Sequence, residues 1–111
     1  MWNFGMPYPL KHFIDVVTLP GENWTWSKSD GYRSLLTGKK ALLICASANR
    51  HAETGEGASD FLQPHLRHWL KFIGIHNIQE ILVTPTLADP QDVMRSRTSA
   101  IATAREMATA F

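Results

Sequence analysis

The run Ala41-Leu42-Leu43-Ile44-Cys45-Ala46 sets the strongest limit on what this chain can fold into. It is apolar at every position, too short for an ordinary helix, and bounded by Lys39-Lys40 before it and small polar residues after it. A strand that is apolar on both faces is expected inside a parallel sheet covered on both sides, whereas a half-solvated strand would alternate. The carboxyl end of such a strand matters, because ligands of open α/β sheets sit outside the carboxyl ends of the strands. Here that end reads Ser47-Ala48-Asn49-Arg50-His51.

The rest of the chain supplies helices and one further strand. From Pro9, apolar residues at Leu10, Phe13, Ile14 and Val17 have the one-face spacing of a helix, and Pro20-Gly21 stops it. Residues 22–38 lose that periodicity and are expected to form a loop, with a short extended piece at Trp24-Thr25-Trp26. Its two indoles either cover an apolar surface as a satellite of the core or form one wall of a pocket. A second helix is expected to be capped by Ser59 or Asp60, to hold Pro64 in its first turn or be kinked by it, and to end at Gly74. Leu62, Leu66, Trp69, Leu70 and Ile73 lie on its inner face. Residues 78–83 are a second strand candidate. Asp89-Pro90-Gln91-Asp92 then opens a helix running to near Phe111, with a thin apolar stripe of Met94, Ile101, Ala104, Ala108 and Phe111.

Buried strands alternating with helices predict right-handed crossovers and a parallel α/β sheet. Two strands alone make a poor sheet, since a parallel pair needs neighbours on its open edges. The expectation is therefore a part of a larger α/β domain, or a chain whose missing strands come from another chain.

At 111 residues and 44% hydrophobic content, the chain is long enough for one globular unit and too short for two. The formal charge is +1 with basic residues scattered rather than striped, so no nucleic-acid partner is expected. Cys45 is the single cysteine, which excludes an intrachain disulfide and suits a reducing, cytoplasmic setting. No run is long enough to span a bilayer and no secretory signal is expected. His65 and His68 stand three apart on the second helix, yet no third ligand accompanies them, and they read as part of a solvated face, so no metal is expected.

The opening residues Met1-Trp2-Asn3-Phe4-Gly5-Met6-Pro7 place aromatics and an amide in a turn bounded by Gly and Pro. Such a loop offers backbone groups and ring faces to something flat. Together with three further stretches, in order, it resembles the FMN-dependent NADH:quinone oxidoreductase and azoreductase family. Those stretches are the helix Pro9-Leu10-Lys11-His12-Phe13-Ile14-Asp15, the segment from Gly21 to Trp26, and Gly38-Lys39-Lys40-Ala41.

The resemblance implies that residues 1–111 form the C-terminal portion of a flavodoxin-like domain, a doubly wound parallel sheet of order 2-1-3-4-5 whose first three strands are absent here. It implies FMN contacts at Met1, Trp2, Asn3 and Phe4, matching the family's Met-Tyr-Asn-Phe loop with Trp2 for Tyr. It implies further contacts at Ala46, Ser47, Ala48 and Asn49, matching a Ser-Arg-Gly-Gly loop whose paired glycines are replaced. The Ser-rich loop that binds the FMN phosphate in the family has no counterpart in the sequence. The activity implied is two-electron transfer from NADH or NADPH through the flavin to a quinone or azo compound, in a homodimer or with a chain supplying the N-terminal strands. No side chain is implied as a catalytic acid or base. Trp24, Trp26 and His51 would line the substrate pocket, His51 having a solvent-exposed loop role as its alternative. The rival reading is a non-catalytic flavodoxin-like remnant or interaction module.

Overall fold

The computed structural model describes residues 3–111, and Met1 and Trp2 of the opening loop lie outside the described residues. The elements run α1 (Tyr8–Val17), β1 (Trp24–Ser27), β2 (Gly31–Ser34), β3 (Lys40–Ala46), α2 (Gln63–Ile73), β4 (Asn77–Val83) and α3 (Pro90–Ala108). The expected helices and the two expected strands are all present. The expected loop over residues 22–38 is instead largely a β-hairpin.

That hairpin pairs β1 with β2 antiparallel, Trp24 opposite Ser34 and Ser27 opposite Gly31. Its turn is stapled by Ser27 Oγ, which accepts from the Asp30 amide at 3.0 Å, and Gly31 follows with φ of 69°. Asp-Gly between short β-prone segments is a hairpin signal, and here it outweighs the polar Ser and Lys around it.

Strands β3 and β4 pair in parallel, with Ile44 beside Ile81 and Ala46 beside Val83. Helices α1 and α2 cover one face, where Ile14, Leu62 and Leu66 form a buried cluster against Leu43 and Cys45. Helix α3 lies on the other face. Helices on both sides of a parallel pair are the doubly wound arrangement expected of the alternating pattern.

The apolar run is not buried on both sides, however. Leu43 and Cys45 are half-buried, while Leu42 and Ile44 on the opposite face are exposed, Ile44 to 67%. The cause is geometric: β4 occupies one edge of β3, no described strand occupies the other, and α3 reaches only the β4 side. Ile44, Ile81, Val83 and Ile101 line an open apolar cavity of about 270 Å3 between sheet and helix. The radius of gyration is 16.5 Å, above the roughly 13 Å of a compact domain this long. The chain therefore covers one face of the sheet with α1 and α2, and on the other face α3 covers β4 and leaves β3 open.

Helix α3 turns a different stripe inward from the one expected. Ala100 is its buried residue, Val93, Ser96, Ala104 and Met107 are half-buried, and Met94, Ile101 and Phe111 are exposed. Small residues at the contact let the helix approach the sheet closely, and Ser96 Oγ donates to the Pro85 carbonyl at 2.9 Å. Phe13 of α1 is likewise exposed, with Ile14 carrying the packing.

Helix α2 ends at Gly74, whose φ of 107° needs the left-handed region. A Cβ there would stand 2.2 Å from the Leu36 carbonyl oxygen, so the residue is fixed by both conformation and space.

Candidate functional site

The carboxyl ends of β3 and β4 meet two loops. After β3, the chain passes over the end of β4 and is tied to it. Ser47 N donates to the Val83 carbonyl at 3.3 Å, and Thr86 N donates back to the Ser47 carbonyl at 3.0 Å. Ser47 Oγ donates to the Asn49 carbonyl at 2.7 Å and stands 3.1 Å from Thr84 Oγ1, which also donates to the Asn49 carbonyl at 3.0 Å. The Ala48 carbonyl accepts from Thr86 and Leu87. The carbonyls of Ser47, Ala48 and Asn49 are thus engaged by the protein, while the amides of Ala48 and Asn49 donate to no partner among the described residues. A loop so arranged offers N–H donors and withholds acceptors.

The second loop is the N-terminal one. Asn3 and Phe4 both have positive φ, 44° and 65°. Asn tolerates that region and Phe rarely occupies it, so the turn is held by its surroundings. Phe4 carbonyl accepts from the Phe61 amide at 3.0 Å, and the Phe4 ring meets the His51 ring edge-on, centroids 5.6 Å apart. The ring of Phe4 is otherwise exposed. His51 Nδ1 is 3.0 Å from Ser59 Oγ, which fixes the imidazole from behind. Phe4, assigned to the flavin by resemblance, and His51, assigned to the substrate pocket, therefore stand side by side although they are more than forty residues apart in sequence.

Beneath them a cavity of about 210 Å3 is lined by Cys45, Ser47, Arg50, His51, Asp60 and Gln63, among others. Asp60 is 2% exposed and Gln63 8%. Asp60 Oδ1 accepts the amides of Leu62 and Gln63, each at 3.0 Å, and so caps α2, while Oδ2 accepts the Gln63 side-chain amide at 2.5 Å. Of the two expected caps, Asp60 serves the helix and Ser59 serves His51. Gln63 Oε1 is buried with no partner among the described residues. Burial pushes the Cys45 thiol above its ordinary range, and the Glu80 carboxylate adds to the effect, which suits a strand residue rather than a nucleophile.

Trp24 and Trp26 are not brought to this cluster. Trp24 packs on Phe72 of α2 and on Tyr32, ring centroids 5.6 Å apart in each case, and Trp26 is exposed at the hairpin. His65 and His68 are exposed, and among the described residues no three His, Cys, Asp or Glu side chains group as metal ligands do. Asp60, Gln63 and Thr84 were not singled out as site residues by sequence reasoning. Thr84 was within reach of it: in parallel register Ala46 pairs with Val83, so Ser47 and Thr84 leave the sheet together.

A family model described as the flavodoxin-like fold matches residues 1–108. The chain belongs to that family. It is 42% identical over 105 residues to the FMN-dependent NADH:quinone oxidoreductase of Desulfotalea psychrophila, covering 95% of this chain and 48% of that protein. It is 36% identical over 113 residues to FMN-dependent NADH:quinone oxidoreductase 1 of Bradyrhizobium diazoefficiens, covering 100% of this chain and 54% of the relative. The chain thus spans about half the length of these curated relatives. In fold it is similar to an azoreductase from Bacillus anthracis, with TM-score 0.87 and 21% identity over 99% of this chain and 52% of that one. A structure of an FMN-dependent NADH-azoreductase from the same species in complex with FMN superposes with TM-score 0.77 at 21% identity, over 96% of this chain and 52% of that one. Among the described residues no helix is long and apolar enough to cross a membrane.

Proposed function

We propose that this chain is the isoalloxazine-contacting portion of an FMN-dependent NAD(P)H oxidoreductase that reduces quinones or azo compounds by two-electron transfer. The observation that supports the reading is the contact between Phe4 and His51, which joins the N-terminal loop to the loop that follows β3. Bound FMN would supply the redox chemistry, taking hydride from NADH or NADPH and passing two electrons to the acceptor. The protein's part is to bind, orient and exclude water. The amides of Ala48 and Asn49, which donate to no partner among the described residues, fit the electron-rich rim of a flavin ring, and Asn3 adds a side-chain amide on the N-terminal loop. Phe4 supplies an exposed ring face for a flat ligand. His51, held through Nδ1 by Ser59, keeps Nε2 available toward the acceptor.

No Ser-rich loop of the kind that holds the FMN phosphate in the family accompanies these ring contacts among the described residues. The phosphate loop, the strands that would pair with the open edge of β3 and the elements that would cover Leu42 and Ile44 belong, in this proposal, to a companion segment. A homodimer and a cytoplasmic location accompany the reading. Met1 and Trp2 would complete the first loop, and of the hairpin indoles only the exposed Trp26 would serve a pocket, as a wall against a partner.

The test is flavin retention and NADH oxidation with a quinone by the protein in its natural assembly, compared with Asn3→Gly. Glycine keeps the positive φ of 44° without strain while removing the amide. The expected result is a yellow protein with turnover and at least ten-fold weaker FMN binding in the variant, its melting temperature unchanged. A colourless assembly without turnover would instead establish the non-catalytic module.

A further inference from the structure

The two flanks of α3 open onto different surroundings. Arg97 and Ile101 face the apolar cavity beside Ile44. At 100° per residue, Asp92, Arg95 and Ser99 fall on the opposite flank, and they line a polar cleft of about 580 Å3 with Ser96, Thr84 and Arg50. Strands added beside β3 would extend the sheet on the Ile44 side and leave this cleft uncovered. Its volume lies in the range of small-molecule sites.

Its donors outnumber its free acceptors. Arg50 makes no ion pair or hydrogen bond among the described residues, so its whole guanidinium fork is available. Arg95 is paired with Asp92 through one terminal nitrogen, which leaves its other N–H groups open. Ser96 Oγ already donates to Pro85 and Val93 carbonyls, and Thr84 Oγ1 to Asn49, so the remaining donor hydroxyl is that of Ser99. Two guanidiniums against one engaged carboxylate give the cleft a net positive charge. The planar fork of Arg matches phosphate oxygens through paired N–H bonds.

We infer that this cleft binds a diphosphate-bearing ligand between Arg50 and Arg95. The inference stands apart from the flavin reading, because none of the residues that hold the anion is a flavin contact. The two sites do touch, since Thr84 both lines the cleft and bonds the Asn49 carbonyl. The diphosphate could arrive in a nicotinamide dinucleotide or as a free nucleoside diphosphate.

Pyrophosphate titrated into the full chain at low ionic strength, followed by calorimetry, tests the shared chemistry. One saturable site per chain is expected, weakened at least ten-fold by Arg50→Gln and by Arg95→Gln and unchanged by Arg33→Gln on the exposed hairpin. Asp92→Asn should tighten binding several-fold, because it frees Arg95 and removes a like charge. Arg50 and Arg95 are both exposed, so their variants should keep the parent melting temperature. Displacement of pyrophosphate by NADH would assign the cleft to the dinucleotide, and displacement by ADP but not NADH to a free nucleotide. Absence of saturable pyrophosphate binding, or affinities within two-fold of the parent in both arginine variants, overturns the inference.

Discussion

Cys45 shows how one side chain carries information about its strand. It lies on the face covered by α1 and α2, and the removal of water around its sulfur, with Glu80 nearby, holds the thiol protonated beyond its ordinary value of 9.0. Because the folded pKa is raised, this contribution to stability is fully present below the unfolded value and is lost as pH rises through the folded one. The chain should lose stability relative to Cys45→Ala from about pH 9 upward, measured as the difference in urea midpoints. As the single cysteine, it should also react with iodoacetamide at pH 8 more slowly than a free cysteine. A rate equal to that of free cysteine would place the sulfur in water. Gly74 is constrained more severely. Gly74→Ala must take a left-handed backbone, at about 1–2 kcal/mol, and push back the Leu36 carbonyl as well. A destabilisation above about 2 kcal/mol in chemical denaturation is expected.

Among the elements, α2 is tied to its neighbours by charge as well as by leucine packing. Arg67 donates to both oxygens of Glu80 on β4, at 3.0 and 2.9 Å, and to Glu53 in the loop after β3. Arg67→Met should cost about 1–3 kcal/mol, since charge-assisted hydrogen bonds are lost and Glu80 is left partly buried without its partner. Adding Glu80→Gln should recover part of that loss, and a coupling near zero in the double-mutant cycle would show that the pair contributes nothing. Helix α2 was legible in the sequence because cap, apolar spacing and terminal Gly agree at Asp60, Leu66 and Gly74. The hairpin was not, because polar Ser and Lys break the pattern between Trp24 and Gly38, and the two indoles read as satellite core or as a pocket wall. Only the position of Phe72, a contact forty-odd residues away, decides for the core at Trp24. In α3 the heptad from Met94 to Ile101 suggested an inner stripe, yet close approach to the sheet favours Ser96 and Ala100, which spacing of large apolar residues does not reveal.

For the molecule as a whole, the run from Ala41 to Ala46 was read correctly as a strand and too generously as a buried one. Its composition suits a strand covered on both faces, while in this chain α3 reaches β4 and leaves Leu42 and Ile44 exposed. The two loops proposed to meet the flavin were legible as separate motifs through resemblance, whereas their adjacency depends on the turn that brings Phe4 to His51. The open face of β3 then yields a prediction about assembly. Ile44 is exposed, and its removal from the surface leaves Ile14, Leu62 and Leu66 on the opposite face in place. Ile44→Lys should therefore keep the melting temperature of the isolated chain within a few degrees and lower its self-association in sedimentation velocity. In the assembled protein the same lysine would place a charge between the sheet and the companion segment, where desolvation without a partner costs several kcal/mol. It should abolish FMN retention there although no flavin contact has changed. Undiminished FMN retention in Ile44→Lys would mean that the companion segment does not cover this face.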